Sequence, residues 1–87
     1  VALRILGEAD GVVERIETAI RAALPGARVE VRAGGPGHFE VRVVSEAFRD
    51  RSRVQQHQLV YGAIAPLMAG DAPPVHAIDR LETAAPG

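Results

Sequence analysis

The stretch HFEVRVVSEAFRDRSRVQQHQLVY, residues 38–61, decides the fold. Its first half has a period of two: Phe39, Val41 and Val43 alternate with His38, Glu40 and Arg42. That is a strand with one buried face. Its second half has a helical period. Ser45 can cap a short helical turn holding Ala47 and Phe48, and Arg49-Asp50-Arg51 then links to a longer helix capped by Ser52. Val60, Ile64 and Leu67 share one face of that helix, with Val54, Tyr61 and Met68 flanking. Pro66 falls inside the pattern and cannot donate to the Gly62 carbonyl, so a kink or a loosened last turn is expected.

Upstream, Arg28–Arg32 alternates polar and apolar residues, placing Val29 and Val31 on the core side of another strand. Residues 33–37, AGGPG, form the turn of an antiparallel hairpin. Before it, Val13, Ile16, Ile20, Ala23 and Leu24 recur at helical spacing. Asp10 is the expected cap, Glu17 and Arg21 form a supportive pair, and Leu24-Pro25-Gly26 ends the helix. Downstream, Gly70 and Pro73-Pro74 stop the long helix. Residues 75–83 read as a third strand whose alternation is untidy around Asp79-Arg80. Residues 1–9 and 84–87 are expected to be loose, around a core of about 10–83.

The order helix–strand–strand–short helix–long helix–strand gives an α+β fold. It is a two-layer sandwich with helices on one face of a three-stranded mixed sheet. The second and third strands are separated by helices, so they should pair in parallel through a right-handed crossover.

Composition narrows the function. A chain of 87 residues makes one domain, with little margin of stability and no room for a large substrate pocket. Its 47% hydrophobic and 24% charged residues fit a globular protein and argue against disorder. All ten basic residues are arginine, and with eleven acidic residues the net charge is −1. That balance lacks the global field of a strong nucleic-acid binder. Absence of cysteine excludes disulfides, thiol nucleophiles and thiolate-held metal within this chain. No apolar run approaches the length of a membrane span, and no basic start precedes an apolar stretch, so the expected location is the cytoplasm.

No catalytic set emerges, and no enzyme is expected. Ser45 and Ser52 are explained as caps, Thr18 has no relay partner at a suitable spacing, and the carboxylates scatter. His38, His57 and His76 are too far apart for a close-spaced zinc motif. His57, mid-helix, is better explained by packing. Arg49, Arg51 and Arg53 cluster ahead of a helix and can contact phosphate, though Asp50 and Glu46 dilute them; Gln55, Gln56 and Gln58 can in principle read base edges. Residues 34–37 formally fit GxxG, but they join two strands, whereas the RNA-clamping KH loop joins two helices.

Three segments together resemble the BolA family. His38–Ser45 followed by Phe48 looks like its HFxVxxVSxxF strand. Ser52–Tyr61 is similar to its SxxxRHRLVY helix, with Gln56 and Gln58 in place of arginines. Val75-His76-Ala77-Ile78 matches its IHAL-type strand start. The resemblance implies an αββααβ fold similar to class II KH domains. It also implies partnership with a monothiol glutaredoxin in iron–sulfur trafficking or iron regulation. In such a complex the glutaredoxin cysteine and a glutathione thiolate supply soft ligands to a shared 2Fe–2S cluster, and the isolated chain holds none.

On this resemblance His76 is the expected ligand from the chain. A second ligand usually comes from the loop between the first two strands, which here has neither cysteine nor histidine; His38 is the nearest candidate. Its parity places it opposite Phe39, facing away from the core. Some family members are described as DNA-binding regulators. The corresponding alternative here uses segment 45–69 with Arg49, Arg51 and Arg53.

Overall fold

The computed structural model describes residues 8–87, with side-chain surroundings from residue 11 onward. The expected loose segment 1–9 lies almost wholly outside the described residues. The elements are α1 (Glu8–Ala23), β1 (Arg28–Gly35), β2 (His38–Val44), a single 3₁₀ turn (Glu46–Phe48), α2 (Arg53–Met68) and β3 (Ala77–Ala84). This is the expected α+β order. The short helix is only one 3₁₀ turn.

Apolar spacing makes α1 bury one stripe. Val12, Ile16, Ile20 and Leu24 are buried, and Ile20 and Ile16 are fully so. Ile16, Ile20 and Leu24 are buried as expected, and the stripe differs only at its edges: Val12 is buried, Val13 is partly so, and Ala23 faces solvent. The helix begins at Glu8, so Asp10 sits within it and is not its cap. The pair Glu17–Arg21 forms at 3.2 Å. The helix closes with Leu24 N–H donating to Ile20 O at 2.8 Å, and Gly26 takes φ +83° for the turn.

The sheet order is β1-β2-β3, with β1/β2 antiparallel and β2/β3 parallel. Phe39, Val41 and Val43 of β2 point into the core with Val29 of β1. They meet the stripe of α1 and Val60, Ile64 and Leu67 of α2, with Phe48 and Val75 closing the ends. Burying a side chain the size of Phe39 or Phe48 contributes about 1.5–3 kcal/mol each. Val54 and Tyr61 of α2 remain exposed.

Both helices therefore cover one face of the sheet. The other face is charged, and its rows alternate in sign: Glu30–Arg42–Glu82 and Arg32–Glu40–Arg80 are cross-strand neighbours. Opposite charges directly across a ladder are mildly stabilising.

Capping positions α2. Ser52 Oγ accepts from Gln55 N–H, and Gln55 Oε1 accepts from Ser52 N–H, a capping box. Ser45 Oγ accepts from Ala47 N–H at 3.1 Å. Between the two caps Asp50 adopts φ +64°, the left-handed conformation that Asp tolerates better than most residues. The helix runs through Pro66 to Met68, since a proline this close to the end removes only one terminal bond.

β3 starts at Ala77, two residues later than expected, and continues to Ala84. The tail has contacts where looseness was expected. Ser45 N–H donates to Ala84 O, Ala85 packs on the core, and Pro86 O accepts from Arg49. The untidy alternation at Asp79-Arg80 is a β-bulge. Phe39 pairs with Ile78, but the next residue, Glu40, pairs with Arg80. Such a bulge is uncommon between parallel strands.

Candidate functional site

The site forms where the β1–β2 turn meets the entry to β3. β1 runs to Gly35, so the expected five-residue loop is a two-residue turn, Pro36-Gly37. Gly37 takes φ +76°, as a Pro-Gly turn requires. Its carbonyl accepts from two successive amides, His76 N–H at 2.8 Å and Ala77 N–H at 3.1 Å. The His76 ring then lies over the Gly37 α-carbon, where any side chain would overlap the ring.

Two further contacts hold His76 from the other side. Val75, just before it, is fully buried, and its N–H donates to Leu67 O at the end of α2. The main chain is thus tied to the core while the His76 side chain faces solvent. His76 sits just before β3 rather than within it.

His38 opens β2 and pairs with Ala77, the residue after His76. Register therefore places the two histidines side by side. Their ring centroids are 6.5 Å apart and the rings nearly perpendicular, at 79°. His38 faces away from the core, as its parity required, and its side chain is about half exposed. The sequence alone left open whether these rings converge; the parallel register brings them together.

Asp79 is a member of the site that the sequence reading did not single out. Its Oδ1 lies 3.0 Å from His38 Nδ1. The bulge puts it there, and the only sequence signal was the broken alternation. Beside His76, a cleft is lined by Arg15, Pro36, Phe39, Pro73 and Pro74, among others.

His57 lies apart from this pair, half-buried in α2. Among the described residues, no three His, Asp or Glu side chains converge in the manner of a metal site. The chain thus offers two imidazole donors on one surface and no thiolate. Neutral imidazole suits iron, and bound imidazole raises the potential of an iron–sulfur centre relative to thiolate.

The arginines are arranged differently. Arg49 is bound to the Glu46 carboxylate and to Pro86 O. That pairing, chiefly the hydrogen bond, holds the Glu46 carboxyl below and the Arg49 guanidinium above their usual values. Arg51 Nε donates to Ala47 O at 2.9 Å. Arg53 is exposed at the start of α2. Two of the glutamines are also engaged. Gln55 closes the capping box, and Gln56 bonds Phe48 O, Arg51 O and Thr83 Oγ1. No helix among the described residues is long and apolar enough to cross a membrane.

Comparison with known proteins agrees with this fold. The BolA-like protein family's sequence profile matches residues 18–87. "BolA-like protein 1" of Bos taurus is 41% identical over 81 residues, covering 78% of this chain and 58% of that protein. The chain thus spans under two thirds of the length of that relative. Among solved structures, the solution structure of mouse BolA1 superposes with a TM-score of 0.72 at 32% identity, covering 99% of this chain and 76% of that one. The BolA domain of SufE1 from Arabidopsis thaliana superposes at 0.71 with 28% identity, covering 94% of this chain and 96% of that domain. A profile match over most of the chain, on the expected fold, shows that this protein belongs to the BolA-like family.

Proposed function

We propose that this chain is an adaptor that binds a monothiol glutaredoxin and contributes histidine ligation to a 2Fe–2S cluster shared with that partner. The observation that carries this reading is the exposed pair His38–His76, 6.5 Å apart at one end of the sheet. Both rings are reachable from one side by another protein. With no cysteine in the chain, thiolate ligands must come from the glutaredoxin cysteine and from glutathione. When bound, the cluster supplies one-electron redox capacity and a transferable iron–sulfur unit. His76 would hold it from the Gly37–Val75 anchorage and His38 from the start of β2. The lack of a cysteine or histidine in the β1–β2 turn is met by His38, which stands directly after that turn.

DNA binding through Arg49, Arg51 and Arg53 has no comparable support. Arg49 and Arg51 are already bonded within the chain, and a phosphate would have to displace those contacts.

The test mixes the protein with a cluster-loaded monothiol glutaredoxin and glutathione, followed by visible absorbance and circular dichroism. The expected result is a changed spectrum that His76→Ala abolishes and His38→Ala alters. A complex on size exclusion with an unchanged spectrum would show an adaptor that does not ligate. No complex at all would overturn the reading.

A further inference from the structure

We propose that Asp79 is the positioning residue of the histidine pair. By accepting the Nδ1–H of His38 it fixes that imidazole in one tautomer and leaves the Nε2 lone pair free as the donor beside His76. The inference rests on the reading of His38 and His76 as ligands toward a shared cluster.

The geometry begins with the bulge. With unbroken pairing after Phe39–Ile78, Glu40 would face Asp79, two carboxylates directly across a ladder. Arg80 would then fall opposite Val41, on the core-facing side of β2. One extra residue removes both conflicts. Glu40 meets Arg80, Val41 meets Leu81, and the inward alternation resumes. The extra residue is Asp79. It emerges on the exposed face next to His38, and its Oδ1 comes to 3.0 Å from Nδ1.

A carboxylate can only accept, so this contact requires the hydrogen on Nδ1. The other ring nitrogen, Nε2, then keeps its lone pair. Carboxylates placed behind metal-binding imidazoles act in this way: they fix the tautomer, orient the ring and raise its basicity as a ligand. His76 makes no such contact with a described acidic side chain and is oriented through its backbone. The two histidines are thus held by different means, His76 by its main chain on Gly37 and His38 by a carboxylate on its ring.

The test uses the full chain without metal. Long-range proton–nitrogen correlation spectra of the imidazoles, in buffer alkaline enough that a free imidazole is uncharged, report each tautomer directly. The expected spectrum shows His38 as the Nδ1–H form. In Asp79→Ala, an exposed substitution, His38 switches to the Nε2–H form that free histidine favours, while His57 and His76 stay unchanged. An Nε2–H form of His38 in the unaltered protein, or the same tautomer in both proteins, would overturn the proposal. A merely structural role for the bulge would leave the tautomer unmoved.

A second arm separates this from the ligation reading. In the mixture with cluster-loaded glutaredoxin and glutathione, Asp79→Ala should change the spectrum in the same direction as His38→Ala. If the tautomer switches but neither substitution alters the mixture, Asp79 positions His38 and the ligation reading is what fails.

Discussion

The ring of His76 lies on the α-carbon of Gly37, and the carbonyl of Gly37 accepts the His76 amide at 2.8 Å. One glycine therefore seats both the backbone and the side chain of the site's central histidine. No other residue combines its positive φ with the absence of a Cβ in the ring's path.

Gly37→Ala tests that seat. Left-handed backbone costs a non-glycine residue about 1–2 kcal/mol, before the overlap with the ring is counted. A loss of about 2 kcal/mol is expected, which lowers the Tm of a domain this size by about 8–16 °C. The imidazole resonances of His76 should move in the same variant. A Tm within 2 °C of the parent would contradict the packing described, at about 4–8 °C per kcal/mol.

Gln56 joins three parts of the fold. Its amide donates to Phe48 O and Arg51 O, and its carbonyl accepts from Thr83 Oγ1 at 2.7 Å. It thereby ties the linker before α2 to β3. Gln56→Ala should cost about 2 kcal/mol and Thr83→Val about 1 kcal/mol, at about 1 kcal/mol for each partly buried hydrogen bond. Urea unfolding of both variants and their combination should show a double substitution less damaging than the sum, because one bond is shared. Strict additivity would mean that the Gln56–Thr83 bond does not form.

Asp50 carries the left-handed turn between the two caps, with φ +64°. A β-branched residue cannot take that conformation cheaply. Asp50→Val should lose about 1–2 kcal/mol, whereas Asp50→Gly should stay close to the parent or exceed it. Thermal unfolding of the pair decides this, and equal stability of the two variants would rule out the strain argument.

The pH dependence concerns Glu46. Its hydrogen bond to Arg49 favours the ionised carboxylate in the folded state, so its pKa is lowered on folding. The stabilisation is therefore present above the ordinary carboxylate value and is lost as pH falls through the lowered folded value. Arg49, raised by the same pairing, keeps its charge throughout that window. Both groups are exposed, so the effect on stability is small. A carbon-detected NMR titration should place the Glu46 midpoint below the ordinary value and return it there in Arg49→Ala. An unchanged midpoint in that variant would show that the pair does not form in solution.

Much of this protein was legible in its sequence because the signals are local. The alternation Phe39, Val41, Val43 sets which face of β2 is buried, since strand side chains point alternately to opposite sides. Ser45 and Ser52 mark helix starts because a hydroxyl can accept the unpaired amides there. The family motifs at 38–48, 52–61 and 75–78 carried the family, and they offered His76 and His38 as candidate ligands. The edge of the α1 stripe was less legible. Adjacent Val12 and Val13 are equally apolar, and only the packing angle against the sheet decides which turns inward.

Tertiary structure alone decided how the site is assembled. His38 and His76 stand 38 positions apart in the chain, and strand register depends on the whole core and not on either residue. The pairing of His38 with Ala77 brings their rings together. The same registration forces the bulge that restores Leu81 to the core and delivers Asp79 to His38. A sequence shows which residues can bind or bond. Which of them meet follows from long-range pairing, where burying the apolar face of each strand selects one alignment over its neighbours.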